Sequence, residues 1–186
     1  EATERVIESD IYAGEHHGGT TSVKVNSDRV SEFNGTYFTH LWNDSGLLWL
    51  GEKRVVVDCA NGAVLPLTLS VFGRAGVHVI EINCAPDGKN INDNCGSLHL
   101  EHLQAKVLEE HAELGIAFDG DADRALFVDE KGNVVDGDAT LWVMAQYLKD
   151  HGKLANSTVV ATVMSNIGLE LALKSKGIEL LRTDVG

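Results

Sequence analysis

The chain has 186 residues, 44% of them hydrophobic and 6% aromatic, enough for one to one-and-a-half domains with a sizeable core. Its 28 acidic and 15 basic side chains leave a formal charge of −13, which repels phosphate backbones and anionic lipid and argues against nucleic-acid and membrane-surface partners. Cys59, Cys84 and Cys95 form no C-x-x-C pair, no apolar run approaches the ~18 residues of a membrane span, and the start Glu1-Ala2-Thr3-Glu4-Arg5 lacks signal-peptide order. The expectation is a cytoplasmic protein with reduced cysteines.

Residues 1 to about 32 are polar and glycine-bearing, with His16-His17-Gly18-Gly19-Thr20-Thr21 in the middle and little that could form a core alone. The His pair offers metal-ligand chemistry, but adjacent histidines in such a loop are more commonly plain solvent-exposed residues. From 33 to 133 the pattern is α/β. Phe38, Leu41 and Trp42 share a face of a helix over roughly 28–43. Arg54-Val55-Val56-Val57-Asp58 has the composition of a buried strand. Leu65, Leu69 and Phe72 mark a helix over 63–75, stopped at Gly76, and the next strand is Val77 to Ile82. A turn-rich loop runs from Ala85 to Ser97, and Leu100, Leu103, Val107 and Leu108 define another amphipathic helix. Strands Gly115–Phe118 and Ala125–Val128 flank an acidic loop, and Glu130-Lys131-Gly132-Asn133 reads as a hairpin turn.

From 134 the alternation restarts: a helix over Leu141–Leu148, a strand at Val159–Thr162, a helix over Gly168–Lys176 and a strand at Ile178–Leu181. Two strands make an unfinished sheet with an unpaired edge and an uncovered face. The expectation is a fragment whose last domain is incomplete.

Chemistry concentrates in Phe118-Asp119-Gly120-Asp121-Ala122-Asp123-Arg124. Three carboxylates alternating with Gly and Ala cannot relax apart on a tight loop, so their repulsion calls for a cation. Oxygen-only ligands select a hard ion, Mg²⁺ or Mn²⁺, over zinc. With a divalent ion and Arg124 the loop is neutral before a ligand arrives. A phosphate oxygen could then take an open metal position while Arg124 forks onto the same phosphate, as phosphoryl transfer requires.

Other readings compete. An EF-hand would use Asp119, Asp121, Asp123 and Glu130 as positions 1, 3, 5 and 12, but Arg124 stands where the turn needs Gly and the flanks read as strands. An aspartyl-phosphate phosphatase loop fits the strand and the first two aspartates, but Asp123 replaces the expected Thr or Val. A solvated acidic turn without function is the third alternative. Asp136-Gly137-Asp138 opens a helix, with Asp138 expected as its N-cap and Asp136 in the preceding turn; a metal role is the weaker reading. Asp58 ends a strand, and its carboxylate is expected to bond the Asn61-Gly62 turn amides. No phosphate-binding glycine motif for a nucleotide is present, and His99 and His102 read as ordinary core or surface histidines.

The acidic loop resembles the D-G-D-[GA]-D-R metal loop of the α-D-phosphohexomutase superfamily. Further segments follow in that superfamily's order: Val57-Asp58-Cys59-Ala60-Asn61-Gly62-Ala63, Pro86 to Asn92 with Cys95-Gly96-Ser97 and His99, and Thr162-Val163-Met164-Ser165-Asn166 with Gly168-Leu169-Glu170. The likeness covers about residues 54–186 and is strongest to the bacterial glucosamine-phosphate branch. It implies a four-domain enzyme of which this is the middle: residues 1–32 the tail of the first domain, 33–133 the second domain with a mixed sheet between helices, and 134–186 the incomplete start of a similar third. It also implies a phosphoserine that phosphorylates a hexosamine phosphate, a bisphosphorylated intermediate, and Mg²⁺ held by Asp119, Asp121 and Asp123 with Arg124 beside the phosphoserine. Two departures stand out. The superfamily's serine loop, T-A-S-H-N-P or similar, is absent from these residues, and the sugar-reading G-D-R expected after Val185-Gly186 is absent too. The resemblance therefore implies no activity for this piece alone. A stand-alone divalent-cation binding domain and a glucose- or mannose-phosphate enzyme are the alternatives.

Overall fold

The computed structural model describes residues 2–13, 26–45 and 50–185. The His16-His17 pair lies outside the described residues. The chain divides into two compact units, residues 1–35 and 36–186. In the first, helix α1 (Ala2–Tyr12) spans a stretch for which the polar composition predicted no element. Eleven residues without Gly or Pro are competent to form a helix even where their apolar positions find no core, and Val6, Ile7 and Ile11 are exposed. The helix expected over 28–43 is α2 (Ser27–Ser45), whose first turn is capped by Asn26: its Oδ1 accepts from the amides of Asp28 and Arg29 at 3.0 and 3.2 Å.

The second unit holds β1 (Arg54–Asp58), α3 (Leu65–Arg74), β2 (His78–Ile82), α4 (Glu101–Glu109), β3 (Leu114–Phe118), β4 (Ala125–Asp129) and β5 (Val134–Val135). They build a five-stranded sheet ordered β2-β1-β3-β4-β5. The first three strands are parallel and β4 and β5 run antiparallel. β1 is buried on both faces because the two crossovers leave it in opposite directions: β1–α3–β2 goes one way, β2–α4–β3 goes back past β1 to its other side. Crossovers of one hand then put α3 and α4 on opposite faces. Val55 and Val57 pack with Val64, Ala75 and Ile116 on the α3 face, and Val56 packs with Leu103, Val107 and Val128 on the α4 face. That explains the unbroken valine run. From α2, Trp42 joins the α3-side cluster, and the Arg74 guanidinium lies 4.6 Å from its ring centroid. The fold is the expected mixed sheet between helices.

The predicted hairpin turn at 130–133 joins β4 to β5, with Asp129 accepting from the amides of Lys131 and Asn133. Next come α5 (Gly137–Asp150), β6 (Thr158–Thr162), α6 (Ile167–Ser175) and β7 (Glu179–Thr183). β6 and β7 pair in parallel, and Val159, Leu169, Leu173 and Ile178 form a separate small core with Ala145. The opposite face of this sheet, with Val160 and Leu181, is exposed.

The cap of α5 corrects the sequence expectation. Asp136 is the N-cap, its Oδ1 accepting from the Ala139 amide at 2.9 Å, whereas Asp138 sits inside the helix and accepts from the Asn166 amide. Either aspartate suited the cap locally, and the partner at Asn166, 28 residues away, took Asp138. Asp136→Ala is expected to cost about 1 kcal/mol. A urea denaturation midpoint that does not move would remove the capping assignment.

Candidate metal centre

In an open sheet, groups brought to the carboxyl ends of the strands meet at the point where strand order reverses. Here that point lies between β1 and β3, and the loops following both strands meet there. The Ala63 amide donates to the Gly120 carbonyl at 2.8 Å. Gly62 lies so close that a Cβ on it would come within 2.3 Å of the Gly120 oxygen. The loop after β2 closes the third side: the Asn92 amide donates to the Ala60 carbonyl at 3.0 Å, and Ile91 and Asn92 side chains pack on the Cα of Gly120. The Gly120 backbone crowds residue 62 and the Ile91 and Asn92 side chains crowd residue 120, which is why both are glycines.

The acidic loop is a tight reversal between antiparallel β3 and β4, not a helix–loop–helix, which removes the EF-hand. The Ala122 amide donates to the Asp119 carbonyl at 3.1 Å, and Ala122 takes the left-handed conformation with φ 61°. This turn brings carboxylate oxygens of Asp119, Asp121 and Asp123 within 4.8 Å of one another. Oxygens on opposite sides of one ion bound at about 2.0–2.5 Å are separated by about 4–5 Å, so the three fit around one hard cation. Asp119 is buried while Asp121 and Asp123 are exposed, which anchors the cluster at one end and leaves it open at the other.

Arg124 completes the loop. Its Nε donates to Asp119 Oδ2 at 2.8 Å and lies 3.5 Å from Asp123 Oδ1, while its amide donates to Asp119 Oδ1 at 3.1 Å. Burial alone would raise the Asp119 pKa; the amide and guanidinium of Arg124 outweigh it and hold the carboxyl below its usual range. Asp123 moves the other way, its pKa raised by a hydrogen bond with Asp119 and then by the charges of Asp121 and Asp119. Three carboxylates beside one guanidinium leave negative charge in the loop that a single arginine does not neutralise. The donor set and its charge therefore fit a divalent cation.

All four residues singled out in the sequence are brought together. Asp136 and Asp138 lie outside the acidic cluster. Asp58 is fully buried behind it and corrects the expectation of Asn61-Gly62 contacts: its Oδ1 accepts from the Ala60 amide and its Oδ2 from the Gly96 amide. An apolar cavity of about 290 Å³ lined by Tyr37, Leu41, Leu67, Val71 and Phe72 abuts Asp121 and Ala122. Its lining does not suit a phosphorylated ligand.

Two of the three cysteines, Cys59 and Cys95, are buried and one is exposed. Cys59 is buried at the end of β1, and that burial, followed by the Glu81 charge, pushes its thiol up to about 12. Cys95 is also buried and raised, whereas Cys84 is exposed. Iodoacetamide at neutral pH is expected to modify Cys84 in the folded protein and the other two only after denaturation. Rapid native labelling of Cys59, read by peptide mass spectrometry, would contradict this.

Two family models match the chain: the phosphoglucomutase/phosphomannomutase alpha/beta/alpha domain II over residues 35–132, and domain III of the same proteins over residues 136–186. The chain belongs to the phosphoglucomutase/phosphomannomutase family. Among curated relatives of this family member, a phosphoglucosamine mutase of Caldicellulosiruptor bescii is 53% identical over 72% of the chain, and one of Thermoanaerobacter pseudethanolicus is 55% identical over 74%. The match covers 30% and 31% of those relatives, so the chain spans about a third of their length. A phosphoglucomutase/phosphomannomutase family protein from Burkholderia thailandensis superposes with a TM-score of 0.68 at 25% identity, over 82% of this chain and 33% of that one. An N-acetylglucosamine-phosphate mutase of the α-D-phosphohexomutase superfamily, in its apo form, shares the fold at a TM-score of 0.62 and 18% identity, over 81% and 33%.

Proposed function

We propose that these residues are the metal-holding central part of a phosphoglucosamine mutase, which interconverts glucosamine 6-phosphate and glucosamine 1-phosphate. The observation that carries the reading is the convergence of Asp119, Asp121 and Asp123 beside Arg124 at the strand-order reversal, in a chain 53–55% identical to phosphoglucosamine mutases. Residues 1–32 belong to the tail of a first domain, 33–133 to the second and 134–186 to the start of the third.

Asp119, Asp121 and Asp123 would hold Mg²⁺. When bound, that ion supplies positive charge against the oxygens of a phosphoryl group. Asp119, fixed by burial and by two hydrogen bonds from Arg124, keeps the ligand set in register. The Arg124 side chain is 62% exposed, so its guanidinium is free on its outer side to bind a phosphoryl oxygen from solvent. In the reaction a phosphoserine outside these residues gives its phosphoryl group to the free hydroxyl of the sugar monophosphate, forming a bisphosphate and a free serine. The bisphosphate turns over and returns its other phosphoryl group to the serine oxygen, leaving the isomeric monophosphate. The partners are the hexosamine phosphate and the remaining domains of the same enzyme. The 186 residues alone lack the serine loop and turn nothing over. No helix of the described residues is long and apolar enough to cross a membrane.

The test is an assay of the intact enzyme expressed from its complete reading frame. Glucosamine 6-phosphate is expected to be isomerised faster than glucose or mannose phosphate, and Asp121→Ala to lower kcat at least about 100-fold. Faster turnover of glucose phosphate would reassign the sugar. Unchanged kcat in the variant, or mutase turnover by the isolated 186 residues, would defeat the reading.

A further inference from the structure

Asp58 is a carboxylate with no solvent exposure at the end of a central strand. Enclosing a carboxylate is costly unless its hydrogen bonds return something specific. Its two oxygens hold two different loops. Oδ1 accepts from the Ala60 amide at 2.9 Å, in the loop after β1, and Oδ2 accepts from the Gly96 amide at 3.0 Å, 38 residues on. Both loops lie directly against the acidic turn. Gly96 sits with φ 75° so near β3 that a Cβ would stand 2.6 Å from the Phe118 carbonyl oxygen and 2.8 Å from the Ala60 Cβ. Phe118 is the residue before Asp119. On the other side, Ile91 and Asn92 pack on Gly120, and Asn92 is tied through its amide to the Ala60 carbonyl. The segment Phe118–Gly120 is thus bracketed by two stretches, 91–92 fastened to Ala60 and 96 fastened to Asp58.

We infer that Asp58 is a positioning residue for the metal loop: its carboxylate clamps the loops after β1 and β2 together so that the segment carrying Asp119 has one place to sit. This rests on the reading of Asp119, Asp121 and Asp123 as metal ligands. An asparagine at 58 keeps the size but turns an N–H₂ toward one of the two amides, so one loop is released. Releasing it lets Phe118–Gly120 shift, and the three carboxylates then lose their common centre.

The experiment is Mn²⁺ titration of the 186-residue chain by electron paramagnetic resonance, alongside amide hydrogen exchange of residues 119–124. Asp58→Asn is expected to remain folded, weaken Mn²⁺ binding about tenfold or more, as loss of an outer-shell support does, and speed exchange in the acidic turn. Gly96→Ala, which strains the same bracket while leaving the carboxylate in place, is expected to do likewise. Leu173→Ala removes a fully buried side chain from the separate β6–β7 core and should leave Mn²⁺ affinity unchanged while lowering stability. Wild-type affinity and exchange in Asp58→Asn would overturn the proposal, as would an equal loss of affinity in Leu173→Ala. If the wild-type chain binds no Mn²⁺, the metal reading fails; unaltered exchange in Asp58→Asn then refutes the clamp as well, and accelerated exchange retains it as a loop clamp alone.

Discussion

Gly62→Ala is expected to lower the unfolding free energy by about 3 kcal/mol and to displace the acidic loop. The added methyl would stand 2.3 Å from the Gly120 oxygen, 2.8 Å from its carbonyl carbon and 2.8 Å from its Cα. These are backbone atoms, so no side-chain rotation can relieve the overlap, and such overpacking costs about 1–3 kcal/mol or more. The Ala63-to-Gly120 hydrogen bond must lengthen as the loops separate. Gly73→Ala is the matching control. Gly73 lies inside α3 with open space around its Cα, so alanine there should stabilise by about 0.5–1 kcal/mol through helix propensity. Urea denaturation of the pair separates the two effects. A Gly62→Ala midpoint equal to wild type would mean that the two loops do not meet as described.

The second large effect is expected from Asp119→Ala. It removes the buried member of the cluster, and with it the acceptor for both the Arg124 amide and guanidinium. Metal affinity should fall by at least about 100-fold, since outer-shell partners alone are worth about 10–100-fold. The stability loss should be much smaller than the metal loss, because the Arg124 side chain is 62% exposed and water replaces its partner. Asp119→Asn keeps an acceptor for the Arg124 amide but sets an N–H₂ against the Arg124 Nε and removes the charge, so it should recover part of the stability and none of the affinity. Asp129→Ala deletes a carboxylate that lies outside the cluster, at the end of β4, and should leave the affinity alone. Isothermal titration with Mg²⁺ reads all three; an Asp119→Ala protein that binds like wild type would place the cation elsewhere.

The α/β alternation was legible because each element carries its own period: the valine run of β1, the Leu65 and Phe72 positions of α3, whose expected partner Leu69 is instead exposed, and the Leu103-Val107 face of α4. The acidic turn was legible for a different reason. Alternating aspartates on a short reversal between strands have few ways to separate, so their convergence follows from spacing alone. Where two readings were locally equal, long-range contacts decided. Asp136 and Asp138 both suit an N-cap, and the Asn166 amide from the β6–α6 loop settled which one took it. Asp58 likewise keeps one nearby donor, the Ala60 amide, but its second oxygen takes the Gly96 amide, 38 residues away, in place of the Asn61-Gly62 turn. α1 is not legible in the sequence because its apolar residues Val6, Ile7 and Ile11 meet no core and mark no buried face.

By itself the amino-acid sequence determined which residues could hold a cation, and that strands flank them, because charge and hydrophobic period are local properties of a chain. Only the tertiary structure decided that β3 pairs beside β1 rather than next to β2, and that Gly62, Gly96 and Ile91 close around the acidic turn. Those contacts join residues 22 to 59 positions apart, and they are selected by how whole helices cover the two faces of the sheet, a choice no short window of residues encodes.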